Sequence, residues 1–159
     1  MLFVACSNPA VSPAFPDERW ESSTPTKVRI TRQYREGDDY YTFAAKAQGH
    51  DAWQNITTIR RDATGEMPVE NVRSINRDVT YFFLVDQFLV TTDGGRMWSQ
   101  FDVSKHLQCG SNKCAWIKQV TIDNSGTGHI LGSRHEGKQL LEFELKTIDF
   151  GRTWSTKGA

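Results

Sequence analysis

Two eight-residue stretches of the sequence decide its fold: TTDGGRMW at residues 91–98 and TIDFGRTW at residues 147–154. Both have the form [Ser/Thr]-x-Asp-x-Gly-x-x-Trp, and each follows an apolar segment. A carboxylate in a turn accepts hydrogen bonds from backbone N–H groups, a glycine permits positive φ, and a tryptophan buries a large ring where the next strand begins. The pattern predicts two β-hairpins with fixed turns, whose defining residues are Thr91, Asp93, Gly95, Trp98, Thr147, Asp149, Gly151 and Trp154.

Strand patterns surround both stretches. Residues 27–34 alternate apolar and polar side chains, and residues 40–45 and 53–59 indicate two further strands, so residues 26–62 predict a three-stranded group. Residues 69–103 and 115–156 each predict a four-stranded antiparallel meander around one of the motifs. We therefore expect one all-β domain over residues 26–159, with antiparallel sheets in a sandwich or an incomplete, propeller-like arrangement, since a closed propeller usually needs at least four blades.

The two motifs resemble the Asp-box, a hairpin motif of sialidases and other β-propellers. The resemblance implies a scaffolding role for Asp93 and Asp149, because the Asp-box of propellers usually lies away from the ligand site. An Asp-box sialidase also needs an arginine cluster and a tyrosine nucleophile. No spacing in this sequence ties Arg60, Arg61 or Arg73 to a pocket.

Composition and missing motifs narrow the function. The 159 residues include 19 basic and 19 acidic side chains, so no net charge would attract nucleic acid. No stretch approaches the ~20 apolar residues of a membrane span. The sequence also lacks a Gly-x-Ser-x-Gly elbow, a His-Glu-x-x-His motif and a glycine-rich phosphate loop. We expect a binding protein with no enzymatic activity, no cofactor, no bound metal and no nucleic-acid partner.

The N-terminus carries a lipoprotein-like pattern. Leu2-Phe3-Val4-Ala5-Cys6 resembles the lipobox of bacterial lipoproteins, and four of the five prolines fall within the first 25 residues. We expect residues 1–25 to comprise a truncated signal, with Cys6 as the lipidation site, and a proline-rich tether. Only five residues precede Cys6, fewer than a complete signal peptide needs, so a chance match stays the alternative. The expected location is periplasmic, with the membrane contacted only through this lipid anchor.

The other two cysteines, Cys109 and Cys114, flank a short polar loop that contains glycine and asparagine. A disulfide closing this loop is predicted, and it would suit an oxidising compartment. Two free thiols are one alternative. A zinc site is another, because His106 adds a third possible ligand, with His129 or His135 as a fourth.

Aromatic and arginine side chains flank the polar turn near residue 37. Tyrosine, tryptophan and arginine dominate the hot spots of protein interfaces, because they desolvate well and keep a polar handle. The sequence therefore predicts partner-binding anchors at Tyr34, Arg35, Asp39 and Tyr40. The neighbouring acids Asp38 and Asp39 are expected to lie in this turn and to be solvated.

The lipobox-like start, the proline-rich stretch and the two Asp-boxes are together similar to the periplasmic immunity lipoproteins that neutralise type VI secretion lipase effectors. The resemblance implies that the chain binds a cognate secreted phospholipase in the periplasm of the producing cell and blocks its access to substrate. It implies no active site in this chain. An envelope scaffold or assembly factor that uses the Asp-box sheets as a docking platform is the first alternative. A glycan-acting, sialidase-like fragment is the second.

Overall fold

The structure is a computed structural model, and it describes residues 17–62, 66–109 and 114–156. These residues form three antiparallel sheets of four strands each, which confirms the predicted all-β class. Among the described residues, no helix has the length and apolar character needed to cross a membrane. Cys6 lies outside the described residues, so its lipidation stays a prediction.

The N-terminal sheet has four strands, where the sequence predicted three. They are β1 (Glu18–Glu21), β2 (Lys27–Arg35), β3 (Asp38–Lys46) and β4 (Gln54–Asp62). The additional strand β1 lies in the stretch predicted to be tether. Trp20 of β1 pairs with Ile30 of β2 and packs against the core, so this short segment buries one large ring between charged neighbours.

The central and C-terminal sheets are the two predicted meanders. The central sheet contains β5 (Val72–Ser74), β6 (Thr80–Leu84), β7 (Gln87–Thr91) and β8 (Ser99–Asp102), preceded by a 3-10 turn at Val69–Asn71. A one-turn helix, α1 (Val103–His106), leads to the C-terminal sheet of β9 (Ala115–Ile122), β10 (Gly128–Glu136), β11 (Gln139–Thr147) and β12 (Ser155–Thr156). The side chain of Asp102 caps α1 by accepting from the backbone N–H of Lys105 at 2.9 Å.

The three sheets stack face to face with the central sheet in the middle. Strand β6 is buried along its whole length, because its side chains alternate between two cores. Tyr81 and Phe83 face the C-terminal sheet, whereas Phe82 and Leu84 face the N-terminal sheet. The arrangement is therefore a sandwich with a third layer, and none of the described sheets closes into a barrel.

The stack has two distinct ends. At the Asp-box end, the turn between β3 and β4 meets the turn between β7 and β8, since the Gln48 N–H donates to the Gly94 carbonyl at 3.0 Å. At the hairpin end, β2–β3, β6–β7 and β10–β11 turn back. The Ile117 N–H donates to the Val85 carbonyl there at 2.7 Å, which places the start of β9 beside the β6–β7 hairpin.

Candidate functional site

The first Asp-box is closed by the hydrogen bonds that its residue types predict. One oxygen of Asp93 accepts from the backbone N–H groups of Arg96 and Met97, both at 3.0 Å. The same oxygen accepts from the Thr91 hydroxyl at 2.8 Å, and that hydroxyl in turn accepts from the Gly95 N–H at 2.9 Å. Burial alone would raise the pKa of Asp93, but these donors hold its pKa below the ordinary value.

The second Asp-box repeats this geometry. The Thr147 hydroxyl donates to Asp149 at 2.8 Å and accepts from the Gly151 N–H at 2.9 Å. Asp149 also accepts from the backbone N–H and the hydroxyl of Thr153. Against the opposing effect of burial, the donors from Thr153 and Thr147 lower the pKa of Asp149. Every hydrogen bond recorded for the two carboxylates stays within its own turn, which is the behaviour of a scaffold.

The glycine of each Asp-box meets two constraints at once. Gly95 and Gly151 have φ values of +94° and +84°, where a side chain is strained. A Cβ on Gly95 would come within 2.6 Å of Thr26, and one on Gly151 within 2.6 Å of Phe88. The two turns are therefore packed against the rest of the stack and do not leave an open site.

A third turn, between β3 and β4, has the spacing of the Asp-boxes without their motif. Strand β3 ends at Lys46 and β4 begins after Trp53, which is the same eight-residue interval as in the two Asp-boxes. Gly49 lies four residues before this tryptophan with φ +74°, as Gly94 lies four residues before Trp98 with φ +72°. The threonine, aspartate and glycine of the motif are absent, so this turn shares only the interval and the tryptophan with the Asp-boxes.

Cys109 and Cys114 form the predicted disulfide, with their Cα atoms 5.8 Å apart. The bond takes both thiols that the zinc alternative would have used as ligands. The free-thiol alternative is likewise inconsistent with it. His106, the third residue of that alternative, packs its ring beside Phe101. The disulfide holds the end of the loop that connects the central and C-terminal sheets, next to the start of β9.

Three of the four predicted anchors lie where a partner can reach them. Tyr34 is 42% exposed at the end of β2, and Arg35 beside it is exposed. Tyr40 is half-buried on the outer face of β3. These residues lie at the hairpin end, opposite to the Asp-boxes.

The prediction that Asp38 and Asp39 are solvated turn residues is wrong. Both belong to β3, because the turn is shorter than predicted and only Glu36 and Gly37 separate the strands. Asp39 is fully buried and accepts from Nε of Arg32 at 2.8 Å. Asp38 is also buried and pairs with Arg60. Asp39 is thus a structural ion-pair residue and not a surface anchor.

A cleft of about 540 Å³ opens at the hairpin end, where the three sheets come together. The end of β4, the 3-10 turn and the start of β9 form its walls. Its lining has mixed charge, since it includes Arg60, Arg61, Lys118, Glu66, Glu70 and the ring of Trp116. We call this the hairpin-end cleft. The sequence did not predict it, because β9 lies more than 40 residues beyond the 3-10 turn in the sequence.

Next to this cleft, the outer face of the C-terminal sheet exposes apolar side chains. Trp116 lies 5.4 Å from the ring of His135, which in turn pairs in register with Leu140. Leu140 and Leu131 are 54% and 42% exposed. We call Trp116, Leu131, His135 and Leu140 the Trp116 patch. Trp116 belongs to both the patch and the lining of the cleft, so the two surfaces are continuous.

The outer face of the N-terminal sheet has a different character. Arg29 pairs with Glu21 at 2.7 Å and lies over the ring of Trp53 at 3.8 Å. The hydroxyls of Thr42 and Thr58 bond across strands at 3.1 Å. These contacts are polar, whereas the outer face of the C-terminal sheet also exposes Leu131 and Leu140.

The hairpin end therefore presents Trp116, the exposed Leu140 and charged side chains of both signs. Among the described residues, histidine, cysteine and acidic side chains nowhere gather in a group of three that could hold a metal ion.

Comparison with protein-family models, curated proteins and solved structures found no match.

Proposed function

We propose that this chain is an immunity protein, which binds and inhibits a secreted phospholipase effector in the periplasm of the cell that makes both. The proposal rests first on the resemblance carried by the lipobox-like start and the two Asp-boxes. Inhibition works by occlusion, in which a rigid surface covers the mouth of the enzyme's active site. The chain itself contributes no catalytic group.

The observation that carries the proposal is the contrast between the two ends of the stack. At the Asp-box end, the carboxylates of Asp93 and Asp149 are saturated by their own turns. At the hairpin end, a cleft, Trp116 and the exposed Leu140 lie together, and Leu131 is exposed farther along the same face. Aromatic and apolar side chains ringed by charges are the composition of a protein interface, and a scaffold that fixes them lowers the entropic cost of binding.

The disulfide supports the periplasmic part of the proposal. Disulfides persist in oxidising compartments and are rare in the bacterial cytosol, where thiols are kept reduced. Cys114 lies in the core between the central and C-terminal sheets, so oxidation of Cys109 and Cys114 fixes the start of β9 beside the proposed binding end.

A sialidase-like reading fits the cleft less well. Recognition of a substrate carboxylate needs several arginines that are free to donate to it. Arg60 is held by Asp38, and the acidic side chains of Asp62, Glu66 and Glu70 share the lining. A binding surface of mixed charge is the simpler assignment.

The proposal predicts that a phospholipase gene lies beside the gene of this chain, and the direct test uses that enzyme as the probe. The purified enzyme hydrolyses phospholipid vesicles in the presence of increasing amounts of this protein. We expect hydrolysis to stop at a one-to-one ratio, and we expect the protein alone to release no fatty acid. Undiminished hydrolysis at tenfold excess of the protein contradicts the proposal.

A further inference from the structure

The surface that holds the effector can be located more closely, on the premise that the proposed function is correct. We propose that the Trp116 patch and the hairpin-end cleft form one continuous docking surface for the apolar mouth of the phospholipase, with Trp116 at its centre. This moves the centre of the interface from the β2–β3 hairpin to the C-terminal sheet.

The chemistry of the partner indicates the patch. A phospholipase must admit acyl chains, so the entrance to its active site is lined by apolar side chains. Such a rim gains most free energy from burial against another apolar surface. The described residues with large exposed apolar side chains are Tyr34, Met97, Leu131, Leu140 and Ile148. Of these, Leu131 and Leu140 lie on one face together with a tryptophan.

Polar side chains on the same face suit a mixed rim. Lys118 pairs with Glu142 at 2.7 Å near Trp116, and His129 contacts Glu144 at 2.9 Å toward the Asp-box end. The side chains of Lys118, Glu142 and His129 are each more than 40% exposed, and that of Glu144 is 32% exposed. Exposed pairs of this kind contribute little to folding and can exchange partners on docking. They therefore favour the correct orientation of a partner without adding a strong net field.

The outer face of the C-terminal sheet alone is too small for a standard protein interface. Strands β10 and β11 have nine residues each. At about 3.3 Å per residue and about 5 Å between strands, the face of β9–β11 spans roughly 30 by 14 Å, or about 400 Å². A standard interface takes about 800 Å² from each partner. The face alone therefore provides about half of that area, and a partner that also covers the cleft buries more.

The test compares matched substitutions at the two ends of the stack. The probe is the phospholipase from the neighbouring gene with its nucleophile replaced by alanine, and the readout is its dissociation constant. Leu140→Glu is matched by Ile148→Glu, because Ile148 is 81% exposed at the Asp-box end. Trp116→Ala is matched by Trp53→Ala, which removes a half-buried tryptophan on the outer face of the N-terminal sheet.

We expect Leu140→Glu and Trp116→Ala each to weaken binding by about 30-fold or more, as hot-spot residues do. Ile148→Glu and Trp53→Ala should stay within threefold of the wild type. Because Leu140→Glu changes an exposed side chain, the melting temperature of this variant should match that of the wild type. A matching melting temperature excludes misfolding as the cause of weaker binding.

Two other results overturn the proposal. Binding by Leu140→Glu and Trp116→Ala within threefold of the wild type would place the interface elsewhere while leaving the immunity function intact. The Trp116 patch is likewise not the centre of the interface if Ile148→Glu and Trp53→Ala weaken binding as much as Leu140→Glu and Trp116→Ala. If the wild-type protein does not bind the phospholipase, the proposed function itself is wrong. Failure of the proposed function and failure of the proposed docking surface are therefore distinguishable.

Discussion

Arg32 and Asp39 form an ion pair on the inner side of the N-terminal sheet, with Nε donating to Oδ1 at 2.8 Å. The Asp39 side chain is fully buried and that of Arg32 is 15% exposed. The Tyr41 hydroxyl also donates to the Glu66 carbonyl at 2.6 Å beside the pair, which ties β3 to the segment that follows β4. A buried pair of this kind fixes the register of the hairpin that carries Tyr34 and Tyr40.

Asp39→Ala should lower the free energy of unfolding by about 3 kcal/mol, because the poorly solvated Arg32 guanidinium loses its buried partner and keeps only the exposed Glu18. Chemical denaturation with urea measures this. The control is Glu21→Gln, which removes an exposed partner of Arg29 and should cost less than about 1 kcal/mol. Equal losses for the two variants would show that Asp39 is not a buried structural residue.

Asp93→Ala and Asp149→Ala should each lower the free energy of unfolding by roughly 1–3 kcal/mol, since backbone donors in the turn lose their acceptor. The affinity of the folded protein for its partner should change by less than threefold, because both turns lie at the Asp-box end. Isothermal titration with the phospholipase, next to thermal denaturation, measures both quantities. Lost binding at an unchanged melting temperature would refute the scaffolding role.

Acid should weaken the Asp-boxes. The pKa values of Asp93 and Asp149 lie below their ordinary values in the folded state, so their contribution to stability is complete above the unfolded pKa of about 3.9 and is lost as the pH falls through the lower folded pKa. Urea denaturation at pH 7, 5 and 3 should show a loss below about pH 4.

Other carboxylates contribute to that loss, because the donors around Asp123 and Glu142 also lower their pKa values. The double variant Asp93→Asn, Asp149→Asn therefore serves as the reference. Its stability should be lower than that of the wild type at pH 7, and the gap should narrow at pH 3. A gap that stays constant over this range would show that ionisation of the two carboxylates does not stabilise the turns.

The disulfide should be detectable as protected thiols. In unlipidated protein denatured without reductant, alkylation should label one cysteine per chain, Cys6, and after reduction it should label three. Cys109→Ser should cost about 2 kcal/mol or less, because the bond closes a very short loop. Labelling of Cys109 or Cys114 before reduction would contradict the structure.

The parts of the fold that could be predicted are those that local chemistry determines. The Asp-boxes were predicted because each carboxylate and its donors lie within seven residues of sequence. The two meanders followed from apolar strands separated by explicit turns. Asp39 was misplaced because its burial depends on register, and register shifts by one residue move a side chain to the other face.

Most of the candidate site could not be predicted from the sequence. The hairpin-end cleft brings together β4, the 3-10 turn and β9, which meet only through the stacking of three sheets. Trp116 and Leu140 are 24 positions apart, and nothing in their spacing indicates that His135 joins them across β10. The extra strand β1 was missed because it is four residues long and lies in a stretch that contains several prolines.

The most direct test of the central claim expresses the neighbouring-locus phospholipase, fused to a periplasmic signal, with and without this protein supplied to the same compartment. We expect cells producing the enzyme alone to lose viability and co-expression of this protein to restore growth. Trp116→Ala should fail to restore growth at equal protein level, whereas Trp53→Ala should succeed. Equal killing with and without the wild-type protein would refute the immunity function.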